Sequence, residues 1–221
     1  MKHQAWDYFA TQIQQCTVNN LIKNEAFLST MFCKTYIKQE LEYLMTKYST
    51  EEINRLVWEP IENMGEGNNI HQLHHLTKYL EFNKNAKFDN IVEFGAGYGS
   101  MCVRISRLLK PKRYNIIELP ELQGLQSEYL KENDIKNVYW YNSFSDYCKE
   151  NKQEGLFIAL WSLSETIQEV RDYISKESNF RNYLFAYGNS FYNMQNLDYF
   201  NEFYNVRPYI TWRKEKIEFI N

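Results

Sequence analysis

The sequence lacks the features that mark nucleic-acid-binding, secreted and membrane-spanning proteins. Its 221 residues carry a net charge of −3 without any basic run, so nucleic acid is not an expected partner. The four cysteines form no C-x-x-C pair and are predicted to be reduced thiols. No apolar run is long enough to cross a bilayer, and the first residues lack the apolar stretch of a signal peptide. We therefore expect a cytoplasmic protein without membrane insertion.

Glycine is also scarce, but three of the eight glycines stand together as Gly95, Gly97 and Gly99. Apolar residues at 91–92 predict a strand before them, and apolar residues at helical spacing over 101–109 predict a helix after them. Glycines allow a sharp turn and a close approach of a ligand to the main chain, and a helix N-terminus offers unpaired N–H groups. The order of strand, glycine loop and helix predicts a site for a small polar ligand.

Two glutamates sharpen this prediction. Glu93 precedes the first glycine by two residues, where a carboxylate suits an ammonium or hydroxyl group and would repel a pyrophosphate. The glycine spacing is G-x-G-x-G, whereas dinucleotide enzymes usually show G-x-G-x-x-G. Glu118 ends the next predicted strand about twenty residues later, where Rossmann-like units place the acid that binds ribose hydroxyls. The alternatives are a helix-capping role for Glu93 and a solvated strand end for Glu118.

The first part of the chain is predicted to be helical, and the rest alternates between strands and helices. We expect a helical cap over residues 1–88, with a helix start at Ser49 or Thr50, a loop at 65–69 and a helix over 70–82. A core over 89–221 follows, with a parallel sheet and an antiparallel strand pair within 206–220 at its edge. The predicted strands are 89–94, 113–118, 137–142, 156–161 and 182–188, and the predicted helices are near 99–110, 121–133, 144–150 and 165–178.

Three segments together resemble a known family, the bacterial sugar O-methyltransferases. They are the glycine loop with its strand at 92–99, the strand 114–120 that contains Glu118, and the run 160–165. The resemblance covers roughly residues 60–190, although Asn69 stands where similar proteins have proline. It implies an α/β, Rossmann-like class I methyltransferase fold with S-adenosylmethionine (SAM) as cofactor. The implied acceptor is a sugar hydroxyl, on a nucleotide sugar or a glycan, in surface-glycan biosynthesis.

The resemblance also implies where the cofactor contacts lie, at the carboxyl ends of the first four strands. The adenine is expected near Ser143 and Phe144, and the sulfonium methyl near Trp161 and Ser162; an ordinary turn with Phe144 in the core is the alternative. The complete set of expected cofactor residues is Glu93, Gly95, Ala96, Gly97, Tyr98, Gly99, Glu118, Leu119, Ser143, Phe144, Trp161 and Ser162.

A methyltransferase that acts on a hydroxyl needs a general base, and three histidines are candidates. His71, His74 and His75 share a predicted helix, and a neutral imidazole is a suitable base near neutral pH. We expect His75 or His71 in this role, with Glu165 as the competing base. The alternative is a helix surface of solvated or stacked histidines, with Ser164 and Glu165 capping the next helix. No metal is predicted, because a third ligand and the glutamate of H-E-x-x-H are missing.

Two other functions stay open at this point. The acceptor could be a non-sugar small molecule or a glycan substituent, since the cofactor motifs would be the same. The chain could also be a catalytically silent SAM-binding partner of another enzyme. The sequence leaves homo-oligomer formation open.

Overall fold

The structure is a computed structural model that describes residues 34–57, 66–84, 87–191, 194–204, 207–210 and 216–220. The predicted helical cap therefore lies outside the described residues over 1–33 and 58–65. None of the helices in the described ranges combines the length and apolar character that crossing a bilayer requires.

Within the described residues, three helices precede the first strand: α1 (Lys34–Leu44), α2 (Thr50–Val57) and α3 (Glu66–Phe82). The start of α2 is a capping box, since the Glu52 N–H donates to Ser49 Oγ over 3.2 Å and the Ser49 N–H donates to Glu52 Oε2 over 2.9 Å. These helices share a small apolar core that includes Leu44, Leu56 and Leu73. The division into a cap over 1–88 and a core over 89–221 stays a prediction.

The loop predicted at 65–69 is wrong from Glu66 onwards, because α3 already begins there. Asn69 explains the difference: its amide donates to the Val57 carbonyl oxygen over 3.0 Å, and its Oδ1 accepts from Ser100 Oγ at 2.7 Å. These tertiary contacts satisfy a side chain that has a low intrinsic helix propensity. Asn68 and Asn69 consequently lie in the first turn of α3.

The central part alternates between strands and helices as predicted, with boundaries within one residue for most elements. The predicted helix at 165–178 is shorter, because a 3₁₀ turn at Leu163–Glu165 precedes it. The elements are β1 (Asn90–Phe94), α4 (Ser100–Leu109), β2 (Arg113–Ile117), α5 (Pro120–Glu132), β3 (Val138–Tyr141), α6 (Phe144–Glu150), β4 (Leu156–Leu160), α7 (Gln168–Glu177) and β5 (Asn182–Tyr187).

The chain then forms the two-stranded ribbon β6 (Ser190–Phe191) and β7 (Met194–Gln195), helix α8 (Asn196–Tyr204) and strands β8 (Arg207–Ile210) and β9 (Lys216–Ile220). The main sheet has seven strands in the order β3-β2-β1-β4-β5-β9-β8. β1 to β5 are mutually parallel, whereas β9 pairs antiparallel with both β5 and β8. The predicted antiparallel edge is thus confirmed.

Both faces of the sheet are apolar because helices cover both. Successive residues of one strand enter opposite cores: Ile91 and Ile158 face one, and Val92 and Phe157 face the other. The strand order reverses between β1 and β4, so the carboxyl ends of β1, β2, β3 and β4 meet around one crevice. All of the candidate cofactor residues lie along this edge or the loops that leave it.

Candidate functional site

The glycine loop between β1 and α4 requires glycine at its first position. Gly95, Gly97 and Gly99 have φ values of +72°, +59° and +100°, which L side chains rarely adopt. A Cβ at Gly95 would lie 2.2 Å from Ser162 Cβ, so the loop after β4 approaches the bare backbone there. A Cβ at Gly97 would meet no atom within 4 Å, so the space beside that residue is open.

Glu93, the next-to-last residue of β1, is a buried carboxylate with one short hydrogen bond. The Tyr114 hydroxyl donates to Glu93 Oε2 over 2.6 Å. Burial raises the pKa of Glu93 to about 7; the Tyr114 hydrogen bond opposes the shift, and the charge of Glu118 adds to it. Glu93 therefore changes protonation near neutral pH.

Glu118 follows β2 and binds the glycine loop directly. Its Oε2 accepts from the Gly97 N–H at 3.0 Å and its Oε1 accepts from the Leu119 N–H at 2.9 Å. Gln126 Nε2 donates to the Gly97 carbonyl oxygen over 2.7 Å and to Glu118 over 3.3 Å. Burial still raises the pKa of Glu118 to about 7, against the effect of these hydrogen bonds. The alternative of a solvated acid at this strand end is wrong, because Glu118 is buried.

The loop after β3 is held by a helix cap. Ser143 Oγ accepts from the Asp146 N–H at 3.1 Å and donates to Asp146 Oδ2 over 2.7 Å, so Ser143 is the N-cap of α6. Phe144 is buried and packs edge-to-face against Phe157, with ring centroids 5.9 Å apart, while it also lines the cleft described below. The core role and the cleft role of Phe144 are both observed.

The loop after β4 is constrained at its first residue. Trp161 has a φ of +67°, a strained conformation for a residue with a side chain. Ser162 Oγ donates to the Phe94 carbonyl oxygen, and Ser164 Oγ donates to the Trp161 carbonyl oxygen over 2.5 Å. Ser164 therefore stabilises the strained turn, and the alternative in which it caps α7 is wrong; Ile167 occupies the cap position of that helix.

These loops surround a cleft of about 550 Å³. Eleven of the twelve expected cofactor residues line it; the exception is Gly99, which precedes α4. Sequence reasoning missed lining residues that come from α3, Asn68 and Gln72, and from the region of α7. Asn68 and Gln72 are spaced i, i+4, a signal for a shared helix face that the predicted loop at 65–69 concealed. The α7 region contributes Thr166, Ile167, Glu169, Val170, Tyr173 and Ile174.

Helix α3 also contacts the glycine loop. Asn68 Nδ2 donates to the Tyr98 hydroxyl over 2.9 Å, and both residues are buried. One turn of α3 thereby connects the helical segment to the loop that the sequence assigns to the cofactor.

The three histidines are buried, and none is among the described residues that line the cleft. His71 Nδ1 lies 2.6 Å from Glu40 Oε1, and both side chains are inaccessible to solvent. The His71 and His75 rings each lie with centroids 6.5 Å from the Trp161 indole, and His71 is nearly parallel to it at 18°. The alternative of solvated histidines is wrong, because all three are buried, whereas the alternative of stacked histidines is confirmed for His71 against Trp161.

Glu165 does line the cleft. It ends the 3₁₀ turn, is half-buried, and has its pKa raised to about 7 by burial. A carboxylate with such a pKa is suited to accept a proton near neutral pH. Among the described residues, no group of three or more His, Cys, Asp or Glu side chains is placed to hold a metal ion.

The buried pair of Glu40 and His71 predicts a large effect on stability. We expect Glu40→Ala to lower the free energy of unfolding by about 3 kcal/mol, because it removes one partner of a buried, hydrogen-bonded pair. Glu42→Ala is the matched control on the same helix, since Glu42 is exposed and, among the described residues, forms an ion pair with Lys38 alone, at 3.9 Å. We expect a change below about 0.5 kcal/mol. Urea denaturation measures both, and equal losses would contradict a structural role for the pair.

The sequence matches no protein-family model and no curated protein. Among solved structures, a SAM-dependent methyltransferase from Aquifex aeolicus is 14% identical, with 79% of this chain and 100% of that chain covered and a TM-score of 0.53. The methyltransferase domain of bacterial CtHen1-CN is 10% identical, with 69% and 98% covered and a TM-score of 0.51. A chain of the Pnkp1/Rnl/Hen1 RNA repair complex is 14% identical at a TM-score of 0.50; 68% of this chain matches it and spans 41% of that chain. This likeness, with the observed strand order, shows the Rossmann-like fold of class I methyltransferases.

Proposed function

We propose that this protein is an enzyme that uses SAM to methylate a hydroxyl group of a sugar in surface-glycan biosynthesis. The observation that carries the proposal is that two buried glutamates, Glu93 and Glu118, stand beside an open glycine loop at the carboxyl edge of the sheet. This loop lies in a cleft that continues past Trp161 to Glu165. One end of the cleft fits the cofactor, and the other presents groups that fit an acceptor.

The residues at the cofactor end match the chemistry of SAM. Glu118 can accept hydrogen bonds from ribose hydroxyls, as acids at this position of the fold do. Glu93 suits the methionine ammonium, and the N-terminus of α4, which no side chain caps, suits its carboxylate. When bound, SAM supplies a methyl group on a positively charged sulfur that leaves as a neutral thioether. The protein has to bind, orient and desolvate the two reactants.

The acceptor end combines an aromatic face with hydrogen-bonding groups. Trp161 offers an indole of the kind that packs against sugar rings, and Gln72 and Asn68 offer amides for hydroxyl groups. Glu165 is proposed as the general base that takes the hydroxyl proton while the oxygen attacks the methyl carbon. His71 and His75, the other candidates, would have to act through or around Trp161. The assignment of a sugar as acceptor rests on these groups and on the family resemblance.

Calorimetry with SAM and with its demethylated product tests the cofactor assignment. We expect Glu118→Ala to weaken binding of both by about 1.5–3 kcal/mol, the range for hydrogen bonds to a charged group. Glu128→Ala, an exposed change on α5, is the control and should leave the affinity unchanged. Unchanged affinity in Glu118→Ala would refute the ribose assignment, and micromolar binding of NAD would refute the cofactor assignment as a whole.

The pKa of Glu118 gives this binding a pH dependence. Near pH 6 the carboxyl is mostly protonated in the free protein, because its pKa is about 7. Hydroxyl donors favour the ionised form, so we expect SAM affinity to rise between about pH 6 and pH 8. Glu93, whose pKa is also about 7, contributes in the same direction. The SAM affinity of Glu118→Gln should depend less steeply on pH than that of the unmodified protein. If calorimetry gives the same slope for both, the titrating group is Glu93.

Transfer of labelled methyl from SAM to a panel of sugars tests the reaction itself. Turnover of a sugar hydroxyl supports the proposal. Turnover only with non-sugar compounds would keep the enzyme and replace the acceptor, and SAM binding without turnover of any acceptor would favour a silent binding protein.

A further inference from the structure

The charges that line the cleft are of one sign. Four glutamates line it, Glu93, Glu118, Glu165 and Glu169, whereas the described lining residues include no lysine, arginine or histidine. Arg171 follows a lining residue in sequence but is buried, with its guanidinium carbon 4.0 Å from the centre of the Tyr199 ring. As far as the described residues line it, the cleft therefore offers carboxylates without a cationic side chain to balance them.

The helix N-termini around the cleft do not provide a replacement for cations. Backbone N–H groups at a helix start can bind phosphate, but an acidic side chain in the first turn competes for them. Asp146 occupies this position in α6, where it also bonds to the capping Ser143. Glu121 and Glu169 occupy it in α5 and α7. The start of α4 has no acid in its first turn, and it lies at the glycine loop assigned to the cofactor.

A phosphate on the acceptor would meet an unfavourable field. Like charges at close range repel more strongly in a partly buried cleft than in water, because the effective dielectric constant is lower there. Uncharged hydroxyl groups have no such cost, and the cleft has acceptors for them. Gln72 Oε1 is buried and, within the described part of the chain, has no hydrogen-bond partner; Gln72 lines the cleft.

We propose that the acceptor is an uncharged, phosphate-free sugar unit, such as a glycoside or the end of a glycan, and that the cleft rejects nucleotide sugars and sugar phosphates. This inference rests on the proposed function and selects between the two forms of acceptor that the sequence leaves open. With the cofactor on Glu93 and Glu118, the lining glutamates Glu165 and Glu169 act against phosphate. Gln72, Asn68 and Trp161 bind a neutral polyhydroxyl ring.

Paired acceptors test the proposal. Labelled methyl transfer is measured with methyl glycosides of glucose, galactose, mannose and N-acetylglucosamine, with short oligosaccharides, and with the UDP-linked form of each sugar. We expect at least one uncharged acceptor to have a kcat/KM about a hundredfold above that of its UDP form. Glu169→Lys should raise turnover of the UDP form by about tenfold. Glu177→Lys, at the exposed far end of α7 and outside the described cleft lining, is the matched control and should not change it.

An anion titration makes the inference independent of the correct sugar. The protein is saturated with demethylated SAM, so that the cofactor end is occupied, and titrated with pyrophosphate, UMP and a short oligoribonucleotide in a calorimeter. We expect no binding of any of them up to about 10 mM. Binding of these anions, or a preference for UDP-linked acceptors, would overturn the inference while leaving the proposed sugar methylation intact. Absence of turnover with every sugar would refute the proposed function, and the titration would still decide whether the cleft excludes phosphate.

Discussion

We expect Glu165→Gln to lower methyl transfer to the true acceptor by about a hundredfold or more, with SAM affinity within about twofold of the unmodified protein. Glutamine keeps the shape and the hydrogen-bonding capacity of the side chain but cannot take a proton. Because the change is isosteric and lies at the acceptor end of the cleft, the cofactor contacts of Glu93 and Glu118 should persist. Steady-state kinetics and calorimetry measure the two quantities separately.

The pH profile distinguishes a base from a structural residue. Burial raises the pKa of Glu165 to about 7, so the ionised form that can accept a proton is lost as the pH falls below that value. The kcat of the unmodified protein should therefore rise between about pH 6 and pH 8 and then level off, and that of Glu165→Gln should be flat. Glu169→Gln is the matched control, since it removes a second carboxylate that lines the cleft from an exposed position on α7; we expect less than a threefold change, about the effect of a solvated charge.

The same assay decides between Glu165 and the histidines. We expect His71→Asn and His75→Asn to reduce activity only through a change in the position of Trp161. The pH profile of kcat should keep its shape in both variants. A large loss in His75→Asn with a preserved profile in Glu165→Gln would move the base to α3. Small losses of activity in all three variants would mean that water takes the hydroxyl proton. The protein would then accelerate the reaction by positioning the two reactants.

Linkage gives an independent check on the pKa of Glu165 that needs no acceptor. A carboxyl whose pKa is raised in the folded state binds more protons there than in the unfolded chain between its two pKa values. Glu165, Glu93 and Glu118 therefore lower the unfolding free energy as the pH rises from about 4.5 to about 7. His74 acts in the opposite direction, because burial lowers its pKa to about 3 and its unfolded form binds more protons in this window. Three carboxyls outweigh one imidazole, so we expect a net fall. Glu165→Gln should lose less stability over this window than the unmodified protein.

Local signals were sufficient to predict the order of strands and helices in the core. Apolar strands ended by glycine, proline or polar residues, as at Gly95 and Pro120, give boundaries that tertiary contacts hardly move. The antiparallel edge could be predicted as well, because the alternating pattern within 206–220 indicates strands and the resemblance implies how they pair. The position of the proposed cofactor residues follows from the fold, since parallel strands bring their carboxyl ends together.

The acceptor end could not be predicted in the same way, because long-range contacts determine it. Asn69 belongs to a helix through its bonds to Val57 and Ser100, neither of which a local pattern indicates. The histidines share a helix face as predicted, but whether that face meets solvent, the cleft or Trp161 depends on how α3 packs. Glu40 lies 31 positions before His71, and no spacing rule connects them.

We expect Gly95→Ala to be the most damaging single-methyl change in the cofactor loop. The added Cβ would lie 2.2 Å from Ser162 Cβ and 2.8 Å from Ser162 Oγ, so the loop after β4 would have to move. That displacement would strain Trp161 further and break the bond from Ser162 to the Phe94 carbonyl oxygen. Overpacking and a positive φ on alanine together should cost about 2–4 kcal/mol of unfolding free energy.

Gly97→Ala separates the two causes of that loss. Gly97 also has a positive φ, but its Cβ would meet nothing within 4 Å, so only the backbone penalty of about 1 kcal/mol applies in the cofactor-free protein. In thermal or urea unfolding without SAM, Gly95→Ala should therefore be clearly less stable than Gly97→Ala. SAM binding should suffer in both variants, in Gly95→Ala through a displaced loop and in Gly97→Ala because the new methyl occupies the open space beside the loop. Equal stability of the two variants would show that the loop after β4 yields freely, and a loop that yields freely could not hold Trp161 and Glu165 in place for the reaction.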